Sequence, residues 1–212
     1  MISSIKLEGV QKNYLASEFS LKVDKLEFKN TDINIIVGQN GSGKSTLLKL
    51  IALLDKPDKG RIVFDGGKVF RKKIGFLAQH PYLFDMSVFD NVALGLKLRK
   101  YPKVKINSRV NEILDILNIK HLAKRHVKFL SGGERQKAAI AQILVMEPQV
   151  ILMDEPAAGV DKHSVAFIEK IIKDIHRRLK PLILLTTHSL SQADRISSRV
   201  VSLCGGKIYD RV

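Results

Sequence analysis

The stretch from position 38 to position 46 decides the fold of this protein. It reads Gly38-Gln39-Asn40-Gly41-Ser42-Gly43-Lys44-Ser45-Thr46 and matches the pattern G-x-x-x-x-G-K-[ST]. An apolar segment ending at Val37 precedes it, and a helical pattern follows. Between a strand and a helix, such glycines let successive backbone N–H groups point at phosphate oxygens. We therefore predict a phosphate-binding loop in which Lys44 reaches the β- and γ-phosphates and Ser45 offers a hydroxyl to Mg²⁺.

The segments on either side of this loop alternate between strand and helix patterns. Before and just after it, we predict strands at 2–7, 19–23, 26–28, 33–37, 61–64 and 74–77, with a helix at 44–54. Residues 87–122 and 132–146 have helical periodicity, and 163–179 predicts a further helix. The apolar runs 150–153 and 182–187 suit strands buried on both faces of a parallel sheet. The alternation indicates an α/β core, which a hairpin turning at Gly205-Gly206 completes.

Composition excludes several classes of protein. The chain has 212 residues, enough for one domain. Its one cysteine, Cys204, cannot form an internal disulfide. We expect Cys204 to pack in an apolar strand. The longest apolar run, 50–54, is far shorter than the ~20 residues that cross a bilayer, and charge near the N-terminus argues against a signal peptide. The net charge of +15 predicts attraction to nucleotides, nucleic acid or an anionic membrane surface without choosing among them.

Two acidic residues, Asp154 and Glu155, directly follow the buried strand predicted at 150–153. In an α/β sheet, ligands bind beyond the carboxyl ends of the strands. Beside a phosphate loop, an Asp in this place holds Mg²⁺ and an adjacent carboxylate orients the attacking water. The spacing of the histidines predicts no zinc site.

A second glycine turn occurs in Leu130-Ser131-Gly132-Gly133-Glu134, just before a helix. General physical chemistry allows either a simple helix cap or an anion-binding helix N-terminus. With the phosphate loop and the Asp154-Glu155 strand in order around it, residues 130–136 resemble the signature motif of ABC-type ATPases. Gln79 resembles the glutamine of that family's Q-loop, His188 its switch histidine, and 157–161 its D-loop. Tyr14 resembles the aromatic residue that stacks on adenine, although Phe19 is an alternative in the same segment.

The resemblance implies a fold and a set of residue roles. The fold is a P-loop NTPase core of the RecA-like type, mainly a parallel sheet, with an N-terminal antiparallel β subdomain and a helical subdomain. Glu155, His188, Gln79 and Lys44 are the implied catalytic residues, and Ser45, Gln79 and Asp154 the Mg²⁺ ligands. The implied ATP-binding residues are Tyr14, Gly38, Gln39, Asn40, Gly41, Ser42, Gly43, Lys44, Ser45, Thr46, Ser131, Gly132, Gly133, Glu134 and Asp161.

The resemblance also implies how the chain works with other molecules. We expect one ABC ATPase domain over 1–212, made of a β-rich part at 1–85, a helical lobe at 86–135 and an α/β core at 136–212. Two ATP molecules would lie between this chain and a second copy or a related ATPase subunit. An integral membrane permease would be the other partner, at the cytoplasmic face of the membrane, with a solute-binding protein acting indirectly.

Among the functions that ABC-type ATPases perform, the resemblance favours one over the others. An importer is favoured, and the segment 82–98 is similar to importers of oxyanions such as tungstate, molybdate or phosphate. A regulatory ATPase of the cell-division type, which moves a membrane partner without transport, is the alternative. The soluble ABC-type ATPases of DNA repair and translation carry long insertions or two ATPase units, for which this chain of 212 residues is too short. We therefore expect no nucleic-acid partner. Cations in the helical lobe are candidates for contact with anionic lipid headgroups.

Overall fold

The computed structural model describes residues 2–14, 19–66, 71–197 and 199–210. Its strands are β1 (Ser4–Asn13), β2 (Ser20–Lys29), β3 (Ile33–Val37), β4 (Lys59–Asp65), β5 (Ile74–Leu77), β6 (Val150–Asp154), β7 (Leu182–Thr187), β8 (Arg199–Cys204) and β9 (Lys207–Asp210). Its α-helices are α1 (Lys44–Ile51), α2 (Val88–Leu98), α3 (Lys103–Ile116), α4 (Gly132–Leu144), α5 (Lys162–Leu179) and α6 (Leu190–Ile196). None of these helices is long and apolar enough to cross a membrane.

All nine described strands belong to one sheet, in the order β4-β1-β2-β9-β8-β3-β7-β6-β5. The half from β8 to β5 is parallel. The other half contains the antiparallel pairs β1–β2 and β1–β4, and β9 joins the two halves by pairing with both β2 and β8. The predicted α/β fold with an antiparallel N-terminal part is confirmed.

Alternate residues of the central strands enter two different apolar clusters, which explains why these strands are continuously apolar. On β3, Ile35 packs with residues of α2 to α6, whereas Ile36 packs with α1 and the antiparallel strands. On β7, Leu185 and Leu184 divide in the same way. A parallel sheet covered on both faces needs apolar side chains at every position. The carboxyl ends of β3, β6 and β7 meet at one edge of the sheet, where the phosphate loop begins.

Three local expectations were wrong. Strands were expected at 19–23 and 26–28, but Ser20–Lys29 form one strand, β2, which pairs with β1 in a single register on both sides of Asp24. Helix α1 ends at Ile51, because Leu53 adopts φ of +57° and cannot continue it. Cys204 is exposed at the end of β8, so it is not a packing residue.

Candidate functional site

The phosphate loop has a backbone that only glycine allows at its last turn. Gly43 precedes α1 with φ of +105°, in the left-handed region that residues with a Cβ avoid. A Cβ at this position would also lie 2.6 Å from Cζ of Phe19. At the start of the loop, a Cβ on Gly38 would lie 2.3 Å from the carbonyl oxygen of Leu203. The glycines thus permit a tight path between β2, β8 and the N-terminus of α1.

An open cavity of about 430 Å³ lies over this loop. Seven of the fifteen predicted ATP-binding residues meet there, together with the aromatic alternative Phe19. The lining consists of Tyr14, Phe19, Asn40, Gly41, Gly43, Lys44, Ser45, Thr46, Gln79 and Glu155. A nucleotide is a ligand of suitable size and charge for such a cavity, because loop N–H groups and a helix N-terminus favour phosphate.

Lys44 is held inside the loop and paired with Glu155. Its Nζ donates to the carbonyl oxygens of Gly38 at 2.9 Å and Gln39 at 3.1 Å, and lies 3.2 Å from Oε1 of Glu155. The Lys44 side chain is 5% exposed and that of Glu155 7%. Since an ammonium has three donors, all three are used within the chain. An incoming phosphate must therefore displace at least one of these partners.

Glu155 is fixed by contacts on both sides. It has φ of +48°, an uncommon value for a residue other than glycine and one that marks a constrained turn. Its N–H donates to Oγ1 of Thr186 at 3.0 Å, and its Oε2 lies 3.0 Å from Nδ1 of His188. The structure therefore brings together three of the four predicted catalytic side chains, Lys44, Glu155 and His188, while Gln79 is exposed at the cavity wall.

Thr186 is a residue of this site that sequence reasoning missed. Its hydroxyl donates to Oδ1 of Asp154 at 2.7 Å while accepting from the N–H of Glu155, and the residue is fully buried. One side chain thus orients both carboxylates at the end of β6. The available signal was a pair of threonines, Thr186 and Thr187, closing an otherwise apolar strand.

The oxygen donors around the cavity suit Mg²⁺. The Ser45 hydroxyl and the Gln79 side chain line the cavity, and the carboxylate of Asp154 lies at the end of the adjacent strand. Mg²⁺ keeps several waters and binds proteins through one or two carboxylates plus substrate phosphates. No group of three or more His, Cys, Asp or Glu that would hold a metal without phosphate occurs within the described ranges. In the same loop, the hydroxyl of Ser42 is buried and has no hydrogen-bond partner among the described residues.

The predicted signature residues lie apart from this cavity. Ser131 caps α4, accepting from the N–H of Glu134 at 3.3 Å, and the Glu134 carboxylate accepts from the N–H of Ser131 at 2.8 Å. A Cβ on Gly133 would lie 2.1 Å from Oγ of Ser164, so the turn packs against the start of α5. Residues 131–134 are all described, and none of them lines the cavity. One chain thus holds the phosphate-loop half of the predicted site at one place and the signature at another.

Asp161 also lies outside the cavity. It caps α5, where Oδ1 accepts from the N–H of Ser164 at 3.0 Å and Oδ2 from its hydroxyl at 2.7 Å. These hydrogen bonds from Ser164 lower the pKa of the Asp161 carboxyl. The predicted contact of Asp161 with nucleotide is thus not made from the lining of this cavity.

Both aromatic candidates for the base are at the cavity. Tyr14 donates its hydroxyl to Oδ2 of Asp55 at 3.3 Å, and Nζ of Lys12 lies 5.7 Å from the ring centroid. The hydrogen-bonded ion pair with Lys12 in turn lowers the pKa of the Asp55 carboxyl. Phe19 lies against Gly43. The choice between Tyr14 and Phe19 as the stacking residue stays open.

Known proteins are similar to this chain in sequence and in fold. The sequence profile of the family described as ABC transporter matches residues 21–158. An uncharacterized ABC transporter ATP-binding protein of Bacillus subtilis is 37% identical over 98% of this chain and 58% of its own length. The molybdate/tungstate import ATP-binding protein of Thermococcus kodakarensis is 37% identical over 96% of this chain and 63% of its own length. A sulfate/thiosulfate import ATP-binding protein of Thermosynechococcus vestitus is 36% identical, with coverages of 96% and 62%.

Solved structures give the same result. The cbiO1 protein of Clostridium perfringens, part of the ABC transporter complex cbiONQ, superimposes with a TM-score of 0.90 at 31% identity, covering 99% of this chain and 88% of that one. A dimeric ATP-binding cassette in a post-hydrolysis state with ADP and phosphate has a TM-score of 0.84 at 28% identity, with coverages of 97% and 98%. The chain spans about 60% of the length of the first curated relatives. The phosphate loop, its sheet edge and these similarities together establish that the chain belongs to the ABC transporter family, among its ATP-binding proteins.

Proposed function

We propose that this chain binds ATP and hydrolyses it as the energising subunit of a membrane importer for a small solute such as an inorganic oxyanion. The observation that carries the proposal is the cavity over the phosphate loop, which Lys44 and Glu155 line as an ion pair, with His188 in contact with Glu155 from outside the cavity. Relatives named for molybdate/tungstate and for sulfate/thiosulfate import support the oxyanion.

The residues at and beside the cavity have separate roles in the proposed hydrolysis. On phosphate binding, Lys44 exchanges its contacts with Glu155 and the loop carbonyls for phosphate oxygens. Glu155, released from Lys44, orients the attacking water, and His188 and Gln79 lie at the γ-phosphate end. Because phosphoryl transfer depends on positioning and charge stabilisation, hydrolysis needs no covalent intermediate with the protein. Mg²⁺, held by Ser45, Gln79 and Asp154, would neutralise charge on the phosphate oxygens.

A second copy of this chain, or a related subunit, supplies what the cavity lacks. In the proposed dimer, Ser131, Gly132, Gly133 and Glu134 of one chain face the phosphates bound by the other, and Asp161 lies at the same interface. Support comes from the separation of these residues from the cavity and from the dimeric cassette among the similar structures. We also propose that the dimer sits at the cytoplasmic face of the membrane against a permease, with a solute-binding protein delivering the solute.

Copurification of this chain with a membrane protein tests the proposed role in transport. A tagged Glu155→Gln variant would be extracted with detergent from membranes in the presence of ATP and Mg²⁺, beside a Lys44→Ala variant that is expected not to hold ATP. We expect a permease with many spans to copurify with the first variant in larger amount. A partner with few spans would instead favour the regulatory alternative, and tight DNA binding at physiological salt without any membrane partner would favour a soluble one.

Thr186 is expected to act as a positioning residue for hydrolysis. Thr186→Val keeps the shape but removes the hydroxyl that holds Asp154 and the backbone of Glu155. We expect kcat to fall by roughly ten- to a hundredfold, as for other groups that orient metal ligands, and the Mg²⁺ requirement to rise while KM for ATP changes little. Steady-state rates over a range of Mg²⁺ concentrations measure both effects.

Thr186→Ser is the matched control, because it restores the hydroxyl. It should recover most of the rate and the original Mg²⁺ requirement. Equal loss in the valine and serine variants, or a loss that follows thermal stability alone, would assign Thr186 a packing role only.

A further inference from the structure

The turn between α2 and α3 has an unusual combination of charge and exposed apolar side chains. We call residues 97–105 the α2–α3 tip; it reads Lys97-Leu98-Arg99-Lys100-Tyr101-Pro102-Lys103-Val104-Lys105. Five of its nine residues are cationic, and no acidic residue occurs from 91 to 111. Within the described residues, Lys97 is the only one of the five cations that pairs with a carboxylate, that of Asp90 at 2.7 Å.

The tip has a defined shape. The N–H of Lys100 donates to the carbonyl oxygen of Lys97 at 2.9 Å, and the N–H of Tyr101 to that of Leu96 at 3.1 Å. The Tyr101 ring packs on the apolar cluster of the helical lobe, and Nζ of Lys105 lies 5.0 Å from its centroid. Anchored in this way, the turn presents its other side chains to solvent.

A second basic segment lies beside the tip. The guanidinium of Arg99 donates to the carbonyl oxygen of Lys72 at 3.0 Å. This contact brings the short 3-10 turn Arg71–Lys73, which is entirely cationic, next to the tip. The sequence from 66 to 84 also contains no acidic residue. The two segments therefore form one basic surface on the flank of the molecule.

Two aliphatic side chains project from this surface. Leu98 is 75% exposed and Val104 82% exposed, at the end of α2 and the start of α3. Exposed aliphatic groups flanked by cations match a membrane interface, where apolar side chains enter the headgroup boundary and lysines reach the anionic groups. A single-stranded nucleic acid would instead call for a free aromatic ring on which bases stack, but the Tyr101 ring is packed on the apolar cluster.

We propose that the α2–α3 tip, together with residues 71–73, binds the anionic surface of a lipid bilayer. Leu98 and Val104 enter the interface, and Arg99, Lys100 and Lys103 contact lipid phosphates. None of these residues lines the cavity over the phosphate loop. The surface is therefore separate from the residues that line the proposed nucleotide cavity.

Vesicle binding by the purified chain tests this proposal. The chain would be sedimented with vesicles of phosphatidylcholine alone and with vesicles that also contain phosphatidylglycerol. We expect binding to the anionic vesicles only, weakened by salt because charge attraction is screened. Since each cation near such a surface contributes about fivefold to partitioning, reversing two with Lys100→Glu/Lys103→Glu should lower binding by at least about twentyfold.

Two further variants distinguish binding by the α2–α3 tip from attraction by the net charge of the whole chain. Lys170→Glu/Lys173→Glu makes the same change in net charge on the exposed face of α5 and should leave binding close to that of the unchanged chain. Leu98→Ser/Val104→Ser keeps every charge and should still weaken binding. Equal loss in both charge-reversed variants would overturn the proposal, as would binding to duplex DNA or an acidic protein with none to the vesicles.

The ATPase rate in solution distinguishes this proposal from the proposed function. The tip variants should hydrolyse ATP at the rate of the unchanged chain and melt at the same temperature. Loss of vesicle binding with intact hydrolysis assigns the effect to the tip, whereas absence of hydrolysis in every form of the chain would count against the proposed function alone.

Discussion

Replacing Glu155 with Gln is expected to lower ATP turnover by about a thousandfold, while the chain still binds ATP. The amide has nearly the same size as the carboxylate, so the turn after β6 is retained. What is lost is the negative charge that orients the water. The buried ion pair with Lys44, at 3.2 Å, is lost as well.

Because Glu155→Gln removes the ion pair with Lys44, we also expect a change in its affinity for ATP. In the unchanged chain, phosphate competes with Glu155 for Nζ of Lys44. With a neutral amide in place of the acid, the ammonium keeps only the two loop carbonyls as strong partners, so it is a stronger phosphate site. We therefore expect ATP to bind at least as tightly as in the unchanged chain, which equilibrium binding with labelled ATP measures.

Glu112→Gln is the matched control for this experiment. It makes the same chemical change on an exposed position of α3, outside the residues that line the cavity, and should alter neither turnover nor binding. Turnover by Glu155→Gln equal to that of the control would remove Glu155 from the mechanism. Loss of ATP binding would mean that the variant disturbs the loop instead of the chemistry.

Sequence alone placed several local features in the right elements. The glycine pattern of 38–46 lies between β3 and α1, and Asp154 and Glu155 lie at the end of β6, because each of these features belongs to one short segment. For the same reason, β5 and β7 begin and end where their patterns predict. Periodicity and turn chemistry act over a few residues, and these features need nothing more.

What sequence reasoning could not give are contacts between distant segments. Thr186 contacts both Asp154 and Glu155, more than thirty residues away, because β6 and β7 are neighbours in register. The pairing of Lys44 with Glu155 likewise follows from the order of strands in the sheet. The single strand β2 was missed because the exposed pair Asp24-Lys25 breaks the apolar alternation, whereas pairing with β1 continues in one register across this pair.

A mixture of two inactive variants is expected to regain activity if the site is shared between chains. Lys44→Ala destroys the phosphate loop and leaves the signature intact. Ser131→Arg blocks the signature turn, whose serine caps α4, and leaves the phosphate loop intact. Each variant alone forms dimers in which both sites carry the same defect, so each should be inactive.

In a mixed dimer the two defects fall in the same site. The other site then combines the intact loop of the Ser131→Arg chain with the intact signature of the Lys44→Ala chain. Half of the dimers in an equal mixture are mixed, and each has one complete site, so an isologous dimer should recover up to about a quarter of the unchanged rate.

The recovered rate also reports whether the two sites act independently. About a quarter indicates that one complete site is sufficient, and a smaller but measurable recovery indicates that the sites act together. Mixing Lys44→Ala with Glu155→Gln is the control, because both defects affect the same half of the site and no dimer contains a complete one. A mixture of Lys44→Ala and Ser131→Arg no more active than this control would show that the signature does not act across the dimer. The separation of residues 131–134 from the cavity would then need another explanation, such as movement of the helical lobe within one chain.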